Sequence, residues 1–265
     1  MSLINNLSTN KIIVIGGSGF LGSQIIKTFQ NHGLNDIACG DINENENINC
    51  DFIKIDLLDY SNLSKNLSTY DLIINCTGQI TDPFNLCFKL NSDGINNLIK
   101  SLNSKKHLIH ISTVSVYGSG NYCDEDSILN PETNYAVAKA FAEKKIIEQC
   151  DEKLFTILRL SNLYGTNQRK GISAYLINSY LTDKVLSFNN NGKLIRSYMH
   201  VSDCAKIIYQ IAKKKLHGVY NVKGDETLSI IELLNRFEKE FNMKFQTYFS
   251  NIEPWENILN LSNSK

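Results

Sequence analysis

The fold is decided by residues 11–22, which read KIIVIGGSGFLG. The first five residues are a β-branched run typical of a buried strand, and the apolar residues after the glycines recur at helical spacing. Gly16 can form a tight turn, Gly19 lets the backbone approach a pyrophosphate, and Gly22 lets helix and strand pack closely. An ordinary strand-to-helix turn could carry the same glycines, but the flanking strand and helix favour a dinucleotide site. The predicted cofactor-binding residues of this turn are Gly16, Gly19, Phe20, Leu21 and Gly22.

The next predicted strand, residues 36–40, ends at Asp41, nineteen residues beyond Gly22. A carboxylate at this place accepts hydrogen bonds from ribose hydroxyls and repels a 2′-phosphate. Residues 43–49 contain two glutamates and neither lysine nor arginine. We therefore predict NAD and not NADP as the cofactor, although a solvated acidic turn at this place would leave the choice open.

Three further apolar runs, residues 52–55, 72–76 and 108–111, alternate with predicted helices. This rhythm predicts an α/β fold with a doubly wound, mainly parallel sheet whose ligand lies outside the carboxyl ends of the strands. Helix caps and turns use the same residue types as such a ligand site, so both readings stay open. The residues after these strands are candidate cofactor ligands: Asp56 and Leu57, Thr77 and Gly78, and Ser112.

A third group of candidates lies on the predicted helix from residue 134 to about residue 149. Tyr135 and Lys139 are four residues apart, which places the phenol and the ammonium on the same helix face. A cation beside a phenol favours the phenolate, so the pair could supply a proton acceptor. Thr113, at the end of the preceding strand, could orient the oxygen of a substrate. By itself, the Tyr-Lys spacing would also suit a solvated helix face.

Composition excludes several other classes of protein. The 265 residues are 42% apolar, with 27 acidic and 27 basic residues, so no net field attracts nucleic acid or an anionic membrane. We expect a small-molecule partner and no metal, because the seven cysteines are scattered without a C-x-x-C pair. The chain has no 18-residue apolar run and begins with a polar stretch, residues 1–10, which predicts a cytoplasmic protein.

The joint order of these motifs resembles the extended short-chain dehydrogenase/reductase family, and within it the NAD-dependent epimerase/dehydratases that act on nucleotide sugars. The resemblance covers nearly the whole chain. It rests on the glycine turn, Asp41, Asp56-Leu57, Asn91, residues 112–118, Tyr135-x-x-x-Lys139, residues 157–165, residues 196–203 and residues 218–222.

The resemblance implies a role for each candidate side chain. Tyr135 would be the catalytic acid/base, Lys139 would bind the nicotinamide ribose and lower the pKa of the tyrosine, and Thr113 would bond the sugar hydroxyl that is oxidised. Asn91 would join the cofactor-binding residues. Asn162 and Arg196 would hold the nucleotide diphosphate, and an arginine fork suits phosphate oxygens, although a surface ion pair would also explain Arg196.

The resemblance also implies an organisation into lobes and subunits. We expect an NAD-binding Rossmann domain over residues 1–165 and a mainly substrate-binding lobe over residues 166–265, with residues 200–222 returning to the large domain. The expected partners are a nucleotide-diphosphate sugar and a second copy of the chain in a homodimer, with neither nucleic acid nor membrane.

This chain departs from the family pattern in one important place. Dehydratases carry an Asp-Glu pair after the catalytic threonine, whereas this chain has Val114-Ser115, which disfavours 4,6-dehydration. The remaining reactions are 4-epimerisation through a keto sugar or reduction of a 4-keto-6-deoxy sugar. The loop after Gly78 is short, and the chain ends at residue 265 where family members continue. Either the sequence is truncated or the terminal cover of the substrate lobe is absent. A third hypothesis is therefore a non-catalytic NAD-binding sensor or scaffold.

Overall fold

A computed structural model describes Leu7 and residues 10–79, 83–182, 185–250 and 259–261. Helices are α1 (Phe20–Asn31), α2 (Tyr60–Leu67), α3 (Phe84–Lys89), α4 (Ile95–Ser101), α5 (Asn134–Gln149), α6 (Ile172–Thr182), α7 (Val201–Lys214) and α8 (Ile230–Glu240). Strands are β1 (Ile12–Ile15), β2 (Ile37–Asp41), β3 (Asp51–Lys54), β4 (Leu72–Asn75), β5 (His107–Thr113), β6 (Gly120–Cys123), β7 (Phe155–Leu160), β8 (Asn162–Tyr164), β9 (Leu186–Phe188), β10 (Ile195–His200), β11 (Gly218–Val222), β12 (Glu226–Ser229), β13 (Thr247–Phe249) and β14 (Leu259–Leu261).

Seven of these strands form one parallel sheet in the order β11-β7-β5-β4-β1-β2-β3. Strand order reverses between β1 and β4, which pair directly, with Ile15 opposite Asn75. In a doubly wound sheet this reversal opens a crevice at the carboxyl ends of the strands, where ligands bind. The α/β fold class with a doubly wound parallel sheet is therefore confirmed, and the glycine turn after β1 lies at the crevice.

Both faces of this sheet are buried. On β1, Ile12 and Val14 join the core formed with α1 and α7, while Ile13 and Ile15 join the core on the side of α2, α4 and α5. A parallel sheet covered on both faces needs apolar residues at every position of its inner strands, which explains the unbroken run in β1. The apolar run at Ile12–Ile15 therefore places β1 in the interior of the sheet.

Smaller sheets lie in the second half of the chain. Strands β12, β10 and β8 form one sheet, and β13 pairs with β9. The segment expected to return to the large domain contains α7, which packs against α1, and β11, which pairs with β7. The boundary at residue 165 between two lobes stays a prediction. The stretches 1–6, 8–9 and 262–265, used above for localisation and for the chain end, lie outside the described residues.

Candidate active site

Helix α5 carries the predicted tyrosine and lysine and lies close against the sheet. The helix begins after Thr133, whose side-chain oxygen accepts a hydrogen bond from the Ala136 backbone N–H at 3.2 Å. The alanines at positions 136, 138 and 142 are fully buried, and their small side chains allow a close approach to the strands. The cap and these alanines together place the first two turns of α5 over the ends of β4 and β5.

Lys139 links this helix to two strand ends. Its ammonium donates hydrogen bonds to the carbonyl oxygens of Thr77 at 2.9 Å and Ile111 at 3.0 Å. The side chain is fully buried, and burial lowers its pKa to about 8, while nearby Cys76 and Glu143 act in the opposite direction. A buried ammonium with two carbonyl partners fixes the relative positions of α5, β5 and the segment after β4.

The lowered pKa of Lys139 predicts a pH dependence of stability. Between the folded pKa of about 8 and the ordinary lysine pKa of 10.5, the unfolded chain binds a proton that the folded chain lacks, so the free energy of unfolding rises with pH. Relative to a Lys139→Met variant, we expect a gain of about 3 kcal/mol across this window. Urea denaturation of both proteins at several pH values measures it, and a constant difference between the two would contradict the prediction.

Tyr135 is half-buried, and its hydroxyl donates a hydrogen bond of 2.5 Å to the side-chain oxygen of Gln79. Burial raises the pKa of this phenol, whereas the bond with Gln79 lowers it. The expected lowering of the tyrosine pKa by Lys139 is therefore wrong for this structure. The physical reason is that burial dominates, while the lysine ammonium is directed to the two carbonyl oxygens.

The hydroxyls of Ser112 and Thr113 have different partners, as expected for neighbours on a strand. Ser112 donates to a carboxylate oxygen of Glu143 on α5. Thr113 accepts a hydrogen bond from the Ser115 backbone N–H at 3.2 Å, so its own hydrogen can serve a second partner. The structure therefore leaves Thr113 suited to donate to a substrate oxygen, whereas Ser112 is 1% exposed and its hydroxyl hydrogen is used by Glu143.

A buried network that the sequence analysis missed supports this strand end. Arg159 on β7 pairs with Glu143 at 2.8 Å and donates to the Tyr117 hydroxyl at 2.7 Å. The Tyr117 hydroxyl in turn donates to the side chain of Asn221 on β11 at 2.8 Å. Glu143 is 0% exposed and Arg159 is 3% exposed. Two features of the sequence could have indicated this network: a glutamate four residues after Lys139, and an arginine inside an apolar strand.

The glycine turn has the shape of a phosphate cradle. Gly16 has φ +79°, and a Cβ at Gly22 would lie 2.3 Å from the Gly16 carbonyl oxygen. Helix α1 starts at Phe20 after Gly19, and no side chain caps its first N–H groups. Uncapped N–H groups at a helix start bind phosphate readily, so these residues fit a dinucleotide pyrophosphate. Leu21 follows in the first turn and packs partly against the core.

Asp41 ties β2 to this turn. Its carboxylate accepts hydrogen bonds from the backbone N–H groups of Ser18 at 3.1 Å and Ile42 at 2.8 Å. The acidic group thus lies beside the cradle, where a ribose would follow the pyrophosphate. Asp56 is exposed and accepts from the Leu58 N–H at 2.9 Å, whereas Leu57 is 3% exposed and packs on Gly94. Packing against Gly94 explains why Leu57 is buried. Its role as a cofactor ligand stays a prediction.

Asn91 is buried beneath the loop that follows β4 and forms a hydrogen bond with it. It is 1% exposed and lies in a π-helical turn, Leu90–Gly94. Its amide donates to the carbonyl oxygens of Gly78 at 3.1 Å and Cys87 at 2.9 Å. Gly78 has φ +79°, and a Cβ there would lie 2.7 Å from the Asn91 amide. Asn91 therefore fixes the loop instead of reaching the cleft.

Asn162 and Arg196, the predicted diphosphate ligands, lie on neighbouring strands of the small sheet. Asn162 is on β8 and donates to the Ser197 carbonyl oxygen on β10 at 3.4 Å. Arg196 is on β10 and is half-buried. The structure brings the two strands together, and diphosphate binding by these two side chains stays a prediction.

Two further properties of the described residues bear on the expected chemistry. Within residues 10–79, 83–182 and 185–250, no group of three or more histidine, cysteine, aspartate or glutamate side chains could hold a metal ion. All seven cysteines are free thiols. Over the same part of the chain, none of the helices has the length and apolar character needed to cross a membrane.

Comparison with known proteins gives one family and several activities. The model of the NAD dependent epimerase/dehydratase family matches residues 12–222. The dTDP-D-glucose 4,6-dehydratase of Dictyostelium discoideum is 28% identical over 88% of this chain and 62% of its own length. Methionine adenosyltransferase 2 subunit beta of Bos taurus is 26% identical over 90% of this chain and 74% of its own length. The UDP-glucose 4-epimerase of Thermus thermophilus, solved with NAD, has the same fold, with a TM-score of 0.82 at 22% identity, covering 95% of this chain and 90% of that one.

Proposed function

The chain belongs to the NAD-dependent epimerase/dehydratase family, and on this premise we propose that it is a nucleotide-sugar 4-epimerase acting through a transient 4-keto sugar. The family is NAD dependent, which agrees with the cofactor predicted from the glycine turn and Asp41. The observation that carries the proposal is the position of Lys139, whose ammonium is held between the ends of β4 and β5. Thr113 lies two residues beyond Ile111, and Tyr135 lies one helical turn before Lys139.

In the proposed reaction, each of these side chains has a separate task. NAD supplies a reversible hydride acceptor when bound. Tyr135 takes the proton from the sugar 4-hydroxyl and returns it when the keto group is reduced, while Thr113 donates a hydrogen bond to the same oxygen. Lys139 would bind the nicotinamide ribose, since its two carbonyl partners leave one ammonium hydrogen for a further acceptor. Asn162 and Arg196 would grip the diphosphate, which leaves the sugar free to turn so that its other face is reduced.

Dehydration is disfavoured by the residues after Thr113. Val114 is buried and apolar and cannot transfer a proton, and Ser115 is a poor acid at neutral pH. A dehydratase is among the relatives, and positions 114 and 115 are the residues that speak against dehydration in this chain. The proposal therefore includes that the protein does not dehydrate its nucleotide sugar.

A second candidate is reduction of a nucleotide 4-keto-6-deoxy sugar. Burial raises the pKa of Tyr135, and a protonated phenol is the form that donates a proton to a ketone. A reductase consumes one reduced cofactor for each product, whereas an epimerase regenerates its own.

A candidate from another class is a non-catalytic NAD-binding sensor or scaffold. One relative, methionine adenosyltransferase 2 subunit beta, is by its name a subunit of another enzyme. This reading would gain support if a Tyr135→Phe protein kept its full biological activity.

The test of the proposed function uses the purified protein with UDP-, GDP-, CDP- and dTDP-hexoses. Without added cofactor, we expect inversion at C4 of at least one of them, observed by proton NMR of the sugar ring. A parallel reaction with 4-keto sugars and NADH measures reductase activity. No inversion of any sugar would reject the epimerase, and stoichiometric NADH consumption would establish the reductase.

We also propose a cytoplasmic homodimer. Helices α3 and α5 expose a strip of apolar residues that consists of Phe84, Phe88, Val137 and Phe141. The rings of Phe88 and Phe141 lie 5.8 Å apart, so the strip is continuous across the two helices. An exposed aromatic strip on paired helices is the kind of surface that a second copy buries. The free thiols suit a reducing compartment.

A charge in this strip should separate the subunits. For Phe88→Glu, we expect the dimer dissociation constant to rise at least about 30-fold, because an aromatic anchor in an interface contributes about 2 kcal/mol or more. Ile128→Glu is the matched control, since Ile128 is 90% exposed and lies in the loop before α5. Sedimentation velocity measures both. A monomeric unmodified protein, or a Phe88→Glu protein that stays dimeric, would refute the dimer through this face.

A further inference from the structure

The hydroxyl of Tyr135 has a side-chain partner that the sequence analysis did not identify. Gln79 accepts its hydrogen bond at 2.5 Å, across a separation of 56 residues. The bond lies at the exposed side of the site, and the Gln79 side chain is itself exposed. The group nearest to the proposed proton acceptor is therefore an amide that can still rotate.

The backbone before Gln79 is fixed at successive residues. Asn75 accepts hydrogen bonds from the Thr77 N–H at 3.1 Å and from the Thr77 hydroxyl at 2.7 Å. The Thr77 carbonyl oxygen receives the Lys139 ammonium, and the Gly78 carbonyl oxygen receives the Asn91 amide. A chain held at positions 75, 77 and 78 delivers residue 79 to a defined place beside the phenol.

We propose that Gln79 is a positioning residue that accompanies Tyr135 through both of its protonation states. The Gln79 side-chain oxygen accepts from the neutral phenol, and after the amide turns over, its N–H donates to the phenolate. An amide has both an acceptor and a donor within one rotation, which suits a group that gives and takes a proton in each catalytic cycle. This inference rests on the proposed acid/base function of Tyr135.

The two hydrogen bonds are not equal in strength. A bond from N–H to a charged oxygen is roughly twice as strong as a bond between neutral groups. Once its amide has turned, Gln79 therefore stabilises the phenolate more than it stabilises the phenol. Lys139 shares its ammonium between two carbonyl oxygens, so Gln79 is the polar side chain in direct contact with the reacting oxygen.

Three variants separate this role from a merely structural one. Gln79→Leu removes both hydrogen bonds, and Gln79→Glu keeps an acceptor but loses the donor. Gln149→Leu, at the exposed end of α5, is the matched control. For Gln79→Leu we expect the tyrosine pKa to rise by about one unit, with about a tenfold loss of kcat/KM at neutral pH that is recovered as pH rises. Gln79→Glu should show a larger loss.

The pKa is measured directly by fluorine NMR after 3,5-difluorotyrosine is incorporated in place of tyrosine, because fluorine brings the phenol titration into an accessible range. A Tyr135→Phe protein identifies the signal of residue 135. A higher pKa in Gln79→Leu, with no change in Gln149→Leu, supports the inference, and an unchanged or lower pKa overturns it. Failure of the epimerase proposal would appear separately, as activity that survives in Tyr135→Phe, because the NMR titration does not depend on turnover.

Discussion

Replacement of Tyr135 by phenylalanine should lower kcat by about 1,000-fold, because it removes the group that carries the proton to and from the sugar oxygen. The ring remains, so the packing of the first turn of α5 should be retained. The substitution also removes the hydrogen bond with the exposed Gln79 side chain. NAD binding should stay within about threefold of the unmodified protein, because the glycine cradle and Lys139 are untouched.

Steady-state kinetics with the active nucleotide sugar and a calorimetric NAD titration measure these two effects. Tyr248→Phe is the matched control, since Tyr248 on β13 is 63% exposed and lies in a different sheet. Loss of kcat in Tyr135→Phe alone, with NAD binding preserved, supports the proposal. A Tyr135→Phe protein with more than about a tenth of the original kcat would show that another group transfers the proton.

The second large effect is expected at Glu143. This carboxylate is fully buried, accepts hydrogen bonds from the Arg159 guanidinium at 2.8 and 3.1 Å, and receives the Ser112 hydroxyl. Glu143→Ala leaves the arginine charge buried without its carboxylate. We expect the free energy of unfolding to fall by about 3–5 kcal/mol, which is a large share of the stability of a typical domain.

Two comparison proteins test the cause of that loss. Glu148→Ala removes a carboxylate of the same helix whose ion pair with Lys144 is exposed, at 3.7 Å, and it should cost less than about 1 kcal/mol. The double variant Glu143→Leu/Arg159→Met removes both buried charges and should recover most of the lost stability. Urea denaturation measures all three. If the double variant were less stable than Glu143→Ala, the buried pair would be favourable in its own right and the explanation would be wrong.

The fold was predictable where one short stretch determines the local structure. The run at residues 11–15 and the three glycines after it predicted β1, its turn and α1, because burial on both sheet faces requires an unbroken apolar strand. The helix predicted from residue 134 to about residue 149 was also found, as α5 at Asn134–Gln149. Sequence periodicity did not reveal the π-helical turn at Leu90–Gly94, since an extra residue in one turn leaves the apolar pattern almost unchanged.

The residues of the candidate site could be predicted from the sequence, but their hydrogen-bond and ion-pair partners could not. Tyr135 and Lys139 are identifiable from their spacing, yet the direction of the lysine ammonium depends on carbonyl groups that lie 62 and 28 residues away in the chain. For the same reason, the bond from Tyr135 to Gln79 and the pair of Glu143 with Arg159 could not be found from local patterns. Burial, which sets the direction of the tyrosine pKa, also arises only in the folded chain.

The central claim is that C4 of the sugar loses a hydride and regains the same hydride on the other face. The most direct measurement supplies a nucleotide hexose with deuterium at C4, without added cofactor, and follows the product by mass spectrometry and proton NMR. We predict a C4-inverted sugar that keeps its deuterium at C4. Inversion with loss of the deuterium to solvent, or no inversion of any nucleotide hexose, would contradict the account.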